Sequence, residues 1–250
     1  MRIDLSDKVA LVTGSARRVG RAIALELARH GARILVHYHR AEATEVRETI
    51  QAVKSHGVDA HSVAADLSHP EGVDTVFSAL NERYGRLDIV VNSASVFQKR
   101  GLLDLTLDDW DLTMAVNLRA PFLITQRAAR LMSENPLPGG VIINICDAGA
   151  DRPWKDYPHH GVSKSALWML TQVSALTLAP AIRVNAIVPG AMLKPAGRAV
   201  TDEEWSRIGE RNPLRRTGTP EDVARAVLYL CQEDFITGEL LRVNAGEHLR

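Results

Sequence analysis

The most informative stretch of this sequence reads Val9-Ala10-Leu11-Val12-Thr13-Gly14-Ser15-Ala16-Arg17-Arg18-Val19-Gly20. Its first four residues are apolar and predict a short buried strand, and the glycine-flanked segment after them predicts a tight turn. Apolar residues then recur at helical spacing up to Gly31, a typical helix cap, and a second apolar run follows at 34–37. Strand, turn, helix and strand within about thirty residues predict a βαβ unit with a right-handed crossover.

The turn between Gly14 and Gly20 leads into the N-terminus of the predicted helix. Unpaired N–H groups and the helix dipole at such a terminus favour a phosphate group. The turn therefore indicates a dinucleotide-binding site. Because it lacks the complete G-x-G-x-x-G pattern, the turn by itself also fits a purely structural connection in another α/β protein.

The composition is that of an ordinary globular protein, with 46 % hydrophobic and 24 % charged residues among 250. This length is enough for one large α/β domain with a full core. The formal net charge is +0, which gives no general affinity for nucleic acid or for an acidic membrane. We find no signal peptide, no membrane span and no metal-binding motif. Cys146 and Cys231 fall in predicted core segments and fit the buried, reduced thiols of a cytoplasmic protein.

The rest of the chain alternates between predicted strands and helices. Strands are predicted at 59–64, 87–92, 141–145, 183–188 and 240–243, and helices at 41–56, 71–84, 107–133, 159–178, 202–210 and 220–231. The long stretch 191–219 lies after the carboxyl end of a strand, where an insert suits a lid over the substrate. This alternation indicates an α/β protein with a parallel sheet.

A basic cluster, His37-Tyr38-His39-Arg40, follows the second strand, beside the expected position of the adenosine ribose. An acidic residue there hydrogen-bonds the ribose 2′-OH of NAD, whereas basic residues accept the 2′-phosphate of NADP. No acid occurs before Glu42, and Arg17 and Arg18 lie nearby in the turn. We therefore predict NADP(H) as the cofactor, the alternative being a solvated basic loop.

Three residues after later elements each have two interpretations. Asp66, after the third strand, either binds the adenine amine or caps the next helix together with Ser68 and Pro70. Phe97 either stacks on a flat heterocycle or covers the core. Asn117, which precedes a proline bend, either holds a water or is a hydrogen-bonded core residue.

Further chemistry-bearing residues follow the fourth and fifth strands. The small residues Ser93-Ala94-Ser95 allow the backbone and a cofactor to approach closely. Asp147 comes almost directly after the fifth strand. His160 and Lys164 are four residues apart, so they share one face of the predicted helix.

In this order, the motifs resemble the short-chain dehydrogenase/reductase family over nearly the whole chain. The resemblance is carried by Thr13-Gly14 and Gly20, Asp66, Asn92-Ser93-Ala94-Ser95, Asn117, Lys164, Asn185 and Pro189-Gly190. It implies a Rossmann-like, three-layer αβα sandwich with a seven-stranded, mostly parallel sheet in the order 3-2-1-4-5-6-7. Residues 1–250 then form a single NADP-binding domain, with 191–219 as the lid.

Several less common features are similar to pteridine reductases and bacterial dihydromonapterin reductases. Arg18 stands where most of the family has glycine, and Asp147 stands where most members have the catalytic serine. Further segments that match this group are the basic cluster 37–40, Ser95-Val96-Phe97 and Glu247-His248-Leu249-Arg250. The resemblance implies a homotetramer that acts on a small, pterin-like molecule.

The resemblance also implies roles for individual residues. Arg18 and Ser95 contact the pyrophosphate and the pterin, and Phe97 stacks on the pterin opposite the nicotinamide. Lys164 binds the nicotinamide ribose, and Asn117 holds a water in the proton path. The remaining residues expected to bind the cofactor are Gly14, Arg17, Val19, Gly20, His37, Tyr38, His39, Arg40, Asp66, Leu67, Asn92, Ser93, Ala94, Pro189 and Gly190.

The sequence departs from the family's Tyr-x-x-x-Lys motif, because His160 stands four residues before Lys164. The charge of the lysine disfavours an imidazolium, and desolvation is expected to raise the pKa of Asp147. We therefore expect Asp147 to protonate a substrate ring nitrogen, directly or through water, with His160 as a relay. Tyr157 is a second candidate donor, on the same side as Lys164 if the helix extends past Pro158.

The sequence thus predicts hydride transfer from NADPH to a C=N bond of a dihydropterin or related pteridine. One alternative is an NADPH-dependent reductase of the same family that acts on a ketone or a 3-oxoacyl thioester. Asp147 and Phe97 argue against it, because a carbonyl site is usually served by serine and tyrosine donors. Another alternative is a non-catalytic NADP-binding module, which the replacement at His160 favours.

Overall fold

The computed structural model describes residues 4–135, 139–195 and 199–249. Seven parallel strands form one sheet in the order β3-β2-β1-β4-β5-β6-β7, which confirms the predicted fold class and strand order. The strands are β1 Val9–Val12, β2 Arg33–Tyr38, β3 Ala60–Ala64, β4 Ile89–Asn92, β5 Gly140–Ile145, β6 Ile182–Pro189 and β7 Leu240–Val243. The helices are α1 Arg18–Arg29, α2 Ala43–Lys54, α3 Pro70–Arg83, α4 Leu107–Met114, α5 Ala120–Ser133, α6 Pro158–Leu178, α7 Asp202–Glu210 and α8 Pro220–Gln232.

The central strand β1 is buried on both faces, which explains its unbroken apolar run. Val12 belongs to the core on one side of the sheet, together with Leu27 of α1. Leu11 points the other way and packs in the second core with Ile124 of α5. Helices therefore cover both faces of the sheet and produce the three layers.

The strand order reverses direction at β1, and this reversal places the site. Val12 pairs with Val36 of β2 on one side and with Val91 of β4 on the other. The connections from β1 and β4 leave in opposite directions, so a crevice opens between their carboxyl ends. The turn after β1 and the loop after β4 meet in this crevice.

The predicted helix 107–133 is divided into three parts. A π-helical turn, Ala115–Arg119, separates α4 from α5 and carries Asn117 on its buried side. Pro121 lies in the first turn of α5, where its missing N–H costs little. The interruption therefore comes from the π-turn, a feature that often occurs at functional sites.

Helix α6 begins at Pro158, with Tyr157 as the residue before its first turn. The extension of the helix past Pro158, on which the sequence argument for Tyr157 depended, does not occur. Proline at the first helical position explains this boundary, because its fixed φ starts a helix while its ring blocks a preceding helical turn.

The insert 191–219 is joined at its base, because Gly218 N–H donates to Ala191 O at 2.9 Å. It contains α7, while residues 196–198 of the proposed lid lie outside the described residues, as do 1–3, 136–138 and Arg250. Its role as a substrate lid stays a prediction. Across the described ranges, each helix is too short or too polar to cross a membrane.

Both cysteines are free thiols, Cys146 buried and Cys231 half-buried. Burial raises the pKa of each thiol to about 12. They are therefore protonated, unreactive side chains near neutral pH, as the sequence predicted.

Candidate active site

A cleft of about 770 Å³ lies at the carboxyl ends of the central strands. It brings together most of the predicted cofactor-binding residues, namely Gly14, Arg17, Arg18, Val19, Gly20, His37, Tyr38, His39, Arg40, Asp66, Leu67, Ser93, Ala94 and Pro189, together with Ser95. Asn92, Lys164 and Gly190 are not among its lining residues. The cleft includes the turn after β1 and is large enough for a dinucleotide.

The turn after β1 is close-packed against the loop after β4. Gly14 has a φ of +66°, and a Cβ on it would lie 3.0 Å from Ala94 Cα. A Cβ on Gly20 would lie only 2.4 Å from the carbonyl oxygen of Gly14. Both positions therefore require glycine.

The N-terminus of α1 fits a phosphate group. No side chain caps it, and its first turn contains no acidic residue, whereas α2, α7 and α8 each have a capping box. Its free N–H groups and the positive end of its dipole remain available to an anion.

Thr13 holds the loop after β4 in position. Its Oγ1 accepts hydrogen bonds from Ser93 N–H and Ala94 N–H, at 2.9 and 3.0 Å. Sequence reasoning used Thr13 only as part of the motif and missed this contact, although a hydroxyl directly after a buried strand is a signal for such a role. Asn92 does not line the cleft; its Nδ2 donates to Asn144 Oδ1 at 2.8 Å and so joins β4 to β5.

His37 belongs to the scaffold and carries no charge in the basic cluster. Gly14 N–H donates to its Nδ1 at 3.1 Å, so Nε2 carries the proton and donates to Ala65 O at 3.0 Å. Burial lowers the pKa of His37 to about 4. The expectation that this residue contributes positive charge to a 2′-phosphate site is therefore wrong, and the permanent charge of the cluster is the exposed guanidinium of Arg40.

A His37→Gln variant is expected to flatten the acid dependence of stability. Because the unfolded chain binds this proton near pH 6.5 and the folded chain only near pH 4, the wild type loses about 3 kcal/mol as pH falls through that window. Glutamine can accept from Gly14 N–H and donate to Ala65 O without titrating. Urea unfolding at pH 7.5 and pH 4.5 measures the difference, with exposed His56→Gln as the control. An unchanged pH dependence in His37→Gln contradicts the assignment.

Asp66 forms a turn with Ser68 and does not cap α3. Its Oδ1 accepts from the backbone N–H and the hydroxyl of Ser68, at 2.9 and 2.7 Å. The residue before the first turn of α3 is His69, whose side chain makes no cap, and Pro70 begins the helix as expected. Burial raises the pKa of Asp66, but the hydrogen bonds from Ser68 and the nearby His39 outweigh it and hold the pKa below its usual value. The alternative, a contact with adenine, stays a prediction.

Asn117 has every hydrogen-bonding position of its amide filled by protein. Oδ1 accepts from Val96 N–H at 2.8 Å and from the Ser95 hydroxyl at 3.2 Å. Nδ2 donates to Val96 O at 3.0 Å and to Ser163 Oγ at 3.1 Å. The side chain therefore has no position left for a water, and of the two interpretations the hydrogen-bonded core residue is the one observed.

His160 is 2 % exposed and has a defined proton arrangement. Nδ1 lies 3.0 Å from Val96 O and 3.3 Å from Asn117 Nδ2. Because both N–H groups of Asn117 are already used, Nδ1 carries a proton and donates to Val96 O. Nε2 faces Asp147 Oδ2 in a short hydrogen bond, so one further proton lies between these two groups.

Asp147 is held on its other side by the backbone, since Gly149 N–H donates to Oδ1 at 2.8 Å. Burial raises the pKa of this carboxyl, but the hydrogen bond from His160 and the charge of Lys164 outweigh it. The net pKa of Asp147 lies below its usual value, contrary to the sequence-based expectation. In the free protein the carboxylate form of Asp147 is therefore favoured, and it accepts the hydrogen bond from His160 Nε2.

Lys164 is buried next to this pair, and its ammonium donates to Ile145 O at 2.8 Å.

Gly190 packs against the C-terminal segment, where a Cβ would lie 2.9 Å from Asn244 Cα. Arg18, which adopts a left-handed conformation with φ +56°, donates from Nη2 to Lys194 O at 3.2 Å. Arg18 thus reaches from the turn after β1 to the insert after β6.

Aromatic side chains surround the histidine. Phe97 is 51 % exposed, which rules out a pure core-covering role. It stacks on Tyr157, with ring centroids 4.3 Å apart, and meets His160 edge-on at 4.7 Å. Trp154, which sequence reasoning missed, lies edge-on to Phe97 at 6.1 Å. One face of Phe97 is therefore covered by Tyr157 in this structure.

The site as a whole combines an open helix N-terminus, a basic rim, and an imidazole–carboxylate pair with a buried lysine. The first two features suit a dinucleotide phosphate, and the pair suits proton transfer beside it.

Comparison with known proteins agrees with this arrangement. A family model described as enoyl-(acyl carrier protein) reductase matches residues 14–248. The chain is 35 % identical to the 3-oxoacyl-[acyl-carrier-protein] reductase FabG of Aquifex aeolicus, over 98 % of this chain and 99 % of that protein.

Solved structures agree as well. A protein of Sinorhizobium meliloti 1021 described as a candidate short-chain alcohol dehydrogenase superposes with a TM-score of 0.91 at 33 % identity, covering 100 % of this chain and 99 % of that chain. A blue fluorescent protein from a metagenomic library, solved in complex with NADPH, superposes with a TM-score of 0.88 at 32 % identity, covering 97 % and 98 %. The chain belongs to the short-chain dehydrogenase/reductase family of NAD(P)-dependent oxidoreductases.

Proposed function

We propose that this protein is an NADPH-dependent reductase of carbonyl compounds whose proton comes from the Asp147–His160 pair. The observation that carries the proposal is the hydrogen bond between Asp147 Oδ2 and His160 Nε2, beside the buried Lys164. When bound, NADPH supplies a hydride to the carbonyl carbon. The chain must supply the proton that reaches the carbonyl oxygen.

Asp147 is the member of the pair that meets the substrate. Its side chain is 22 % exposed, against 2 % for His160, and it lies two residues after Ile145, which lines the cleft. The proton passes from His160 Nε2 to the carboxylate of Asp147 and from there to the substrate oxygen. His160 is left neutral, with its Nδ1–H still donating to Val96 O, and Asp147 is again a carboxylate.

NADP(H) is the cofactor that the cleft favours. The N-terminus of α1 is open to the pyrophosphate, and Arg17, His39 and Arg40 are exposed at the ribose end. Asp66, the nearest acid after β3, is occupied by Ser68 and His39. The NADPH complex of the metagenomic relative supports the same assignment.

The carbonyl substrate is supported by the relatives, since the Aquifex protein is a 3-oxoacyl reductase aligned over nearly its full length. Reduction of a pteridine C=N bond is the second candidate. A specific observation favours it, because the half-exposed ring of Phe97 lies edge-on to His160, where a flat heterocycle could stack on it.

The assembly as a homotetramer also stays a proposal. It is supported by large apolar side chains exposed on two neighbouring helices, Phe122 of α5 and Met169, Val173 and Leu176 of α6. The cytoplasmic location, which the sequence predicts, also stays a proposal.

The test of function is NADPH oxidation, followed at the nicotinamide absorbance. The panel contains a 3-oxoacyl thioester, simple ketones, several dihydropterins and dihydrofolate. Turnover of the carbonyl compounds is expected and supports the main proposal, whereas turnover confined to pterins replaces it with the second candidate. Tight NADPH binding without any turnover indicates a non-catalytic module and overturns both.

A further inference from the structure

An acidic side chain lies against the basic rim of the cofactor cleft. Glu45, in the first turn of α2, places Oε2 at 3.7 Å from Arg17 Nη1. Arg17 lines the cleft, and its side chain is 56 % exposed. A carboxylate therefore already faces one side of a guanidinium that is available to a phosphate.

Glu45 is fixed in this place by its own helix. Glu42 N–H donates to the same Oε2 at 3.0 Å, as part of the capping box of α2. The carboxylate cannot rotate away from Arg17 without losing this hydrogen bond, so Glu45 has a fixed position beside the rim.

The distance between α2 and the turn after β1 is also fixed. The hydroxyl of the buried Thr49 donates to Ala16 O at 2.8 Å and accepts from Arg21 Nε at 3.1 Å. These contacts join the second turn of α2 to the residue directly before Arg17. The distance between Glu45 and Arg17 is therefore fixed by the packing of α2 against the turn after β1.

We propose that Glu45 is a specificity-determining residue that weakens binding of the cofactor's 2′-phosphate. The proposal rests on the assignment of NADP(H) under the proposed function. A 2′-phosphate at the rim competes with Glu45 for Arg17 and is repelled by its charge, because both are anions facing one guanidinium. NAD(H) lacks this phosphate, so Glu45 weakens its binding less. Glu45 therefore reduces the ratio by which the protein binds NADP(H) more tightly than NAD(H).

The basic rim contains few charges, which makes this one acid significant. His37 is neutral, and His39 lies 3.5 Å from Asp66. Arg17, Arg18 and Arg40 are the guanidinium groups that line the cleft, and Arg18 already donates to Lys194 O. A carboxylate beside Arg17 therefore changes a large share of the local charge.

The test compares Glu45→Gln with Glu48→Gln, an equal change of charge on the exposed side of α2. Glutamine still accepts from Glu42 N–H, so the cap is preserved. Dissociation constants of NADPH and NADH are measured by fluorescence at low and high salt. We expect Glu45→Gln to tighten NADPH binding about two- to fivefold, with NADH nearly unchanged and the gain reduced at high salt. Glu48→Gln should leave the ratio of the two constants unaltered.

A second variant separates competition from a general effect on the helix. In an Arg17→Gln background, the gain from Glu45→Gln should shrink, because the contested guanidinium is gone. Unchanged or weaker NADPH binding in Glu45→Gln, or an equal gain for NADH, overturns the proposal. Because the readout is binding, a protein that shows the expected shift but turns over no substrate refutes the proposed function alone. An active enzyme without the shift refutes this inference alone.

Discussion

A His160→Phe variant should lose kcat by about 100- to 10,000-fold, the usual worth of a positioned acid, while its NADPH affinity changes little. His160 is buried, and its ring carries the proton that Asp147 shares. Phenylalanine fills nearly the same volume among Phe97 and Trp154 but has no proton to give. Steady-state kinetics and NADPH binding together measure this loss.

The matched control is His160→Tyr, which differs from His160→Phe by a single hydroxyl. Tyrosine is the residue of the family's Tyr-x-x-x-Lys motif, so this variant is expected to retain or exceed wild-type activity. Equal activity of the phenylalanine and tyrosine variants would place the proton donor elsewhere. Tyr157, stacked on Phe97, would then be the next residue to replace.

The fold follows from local patterns that do not depend on distant partners. The apolar run 9–12 predicts a strand buried on both faces, and Pro220 and Pro158 mark helix starts through their own backbone restriction. Each of these signals depends only on residues close to it in sequence. Local patterns therefore predict the strands and helices themselves, whereas the strand order, which places the crevice, follows from the family resemblance.

The properties of the site depend instead on residues that are far away in sequence. His37 looks basic beside Arg40, but burial keeps its ring neutral, and its two nitrogens are hydrogen-bonded to Gly14 N–H and Ala65 O. Asn117 looks ready to hold a water, yet Val96 and Ser163 use its amide. A pattern of residue types contains no information on which hydrogen bonds are already taken.

The pKa of Asp147 shows how the sign of an effect depends on geometry. Burial alone raises it, and burial is the effect that the sequence-based expectation considered. The direct hydrogen bond from His160 and the charge of Lys164 reverse the direction. The sequence places these residues on one face of α6 and at the end of β5, but only the distances in the folded protein decide which effect on the pKa is larger.

A Gly20→Ala variant is expected to weaken NADPH binding by about 10- to 100-fold, equivalent to the loss of one or two charge-assisted hydrogen bonds. The added Cβ would lie 2.4 Å from Gly14 O and 2.9 Å from Ser15 Cα, and both of these atoms belong to the backbone. The turn after β1 must therefore move, because no flexible side chain is present to give way. That movement displaces the N-terminus of α1 from the phosphate position.

The control is Gly57→Asn, since a Cβ at Gly57 meets nothing within 4 Å and asparagine tolerates its φ of +81°. Isothermal titration with NADPH compares both variants with wild type, and thermal unfolding checks that each is folded. A folded Gly20→Ala protein with unchanged affinity would mean that phosphate binding does not depend on this turn. Because Gly14 also contacts His37 and approaches Ala94, movement of the turn should disturb the loop after β4 as well. The variant is therefore expected to lose turnover beyond its loss of affinity, measured as kcat at saturating NADPH.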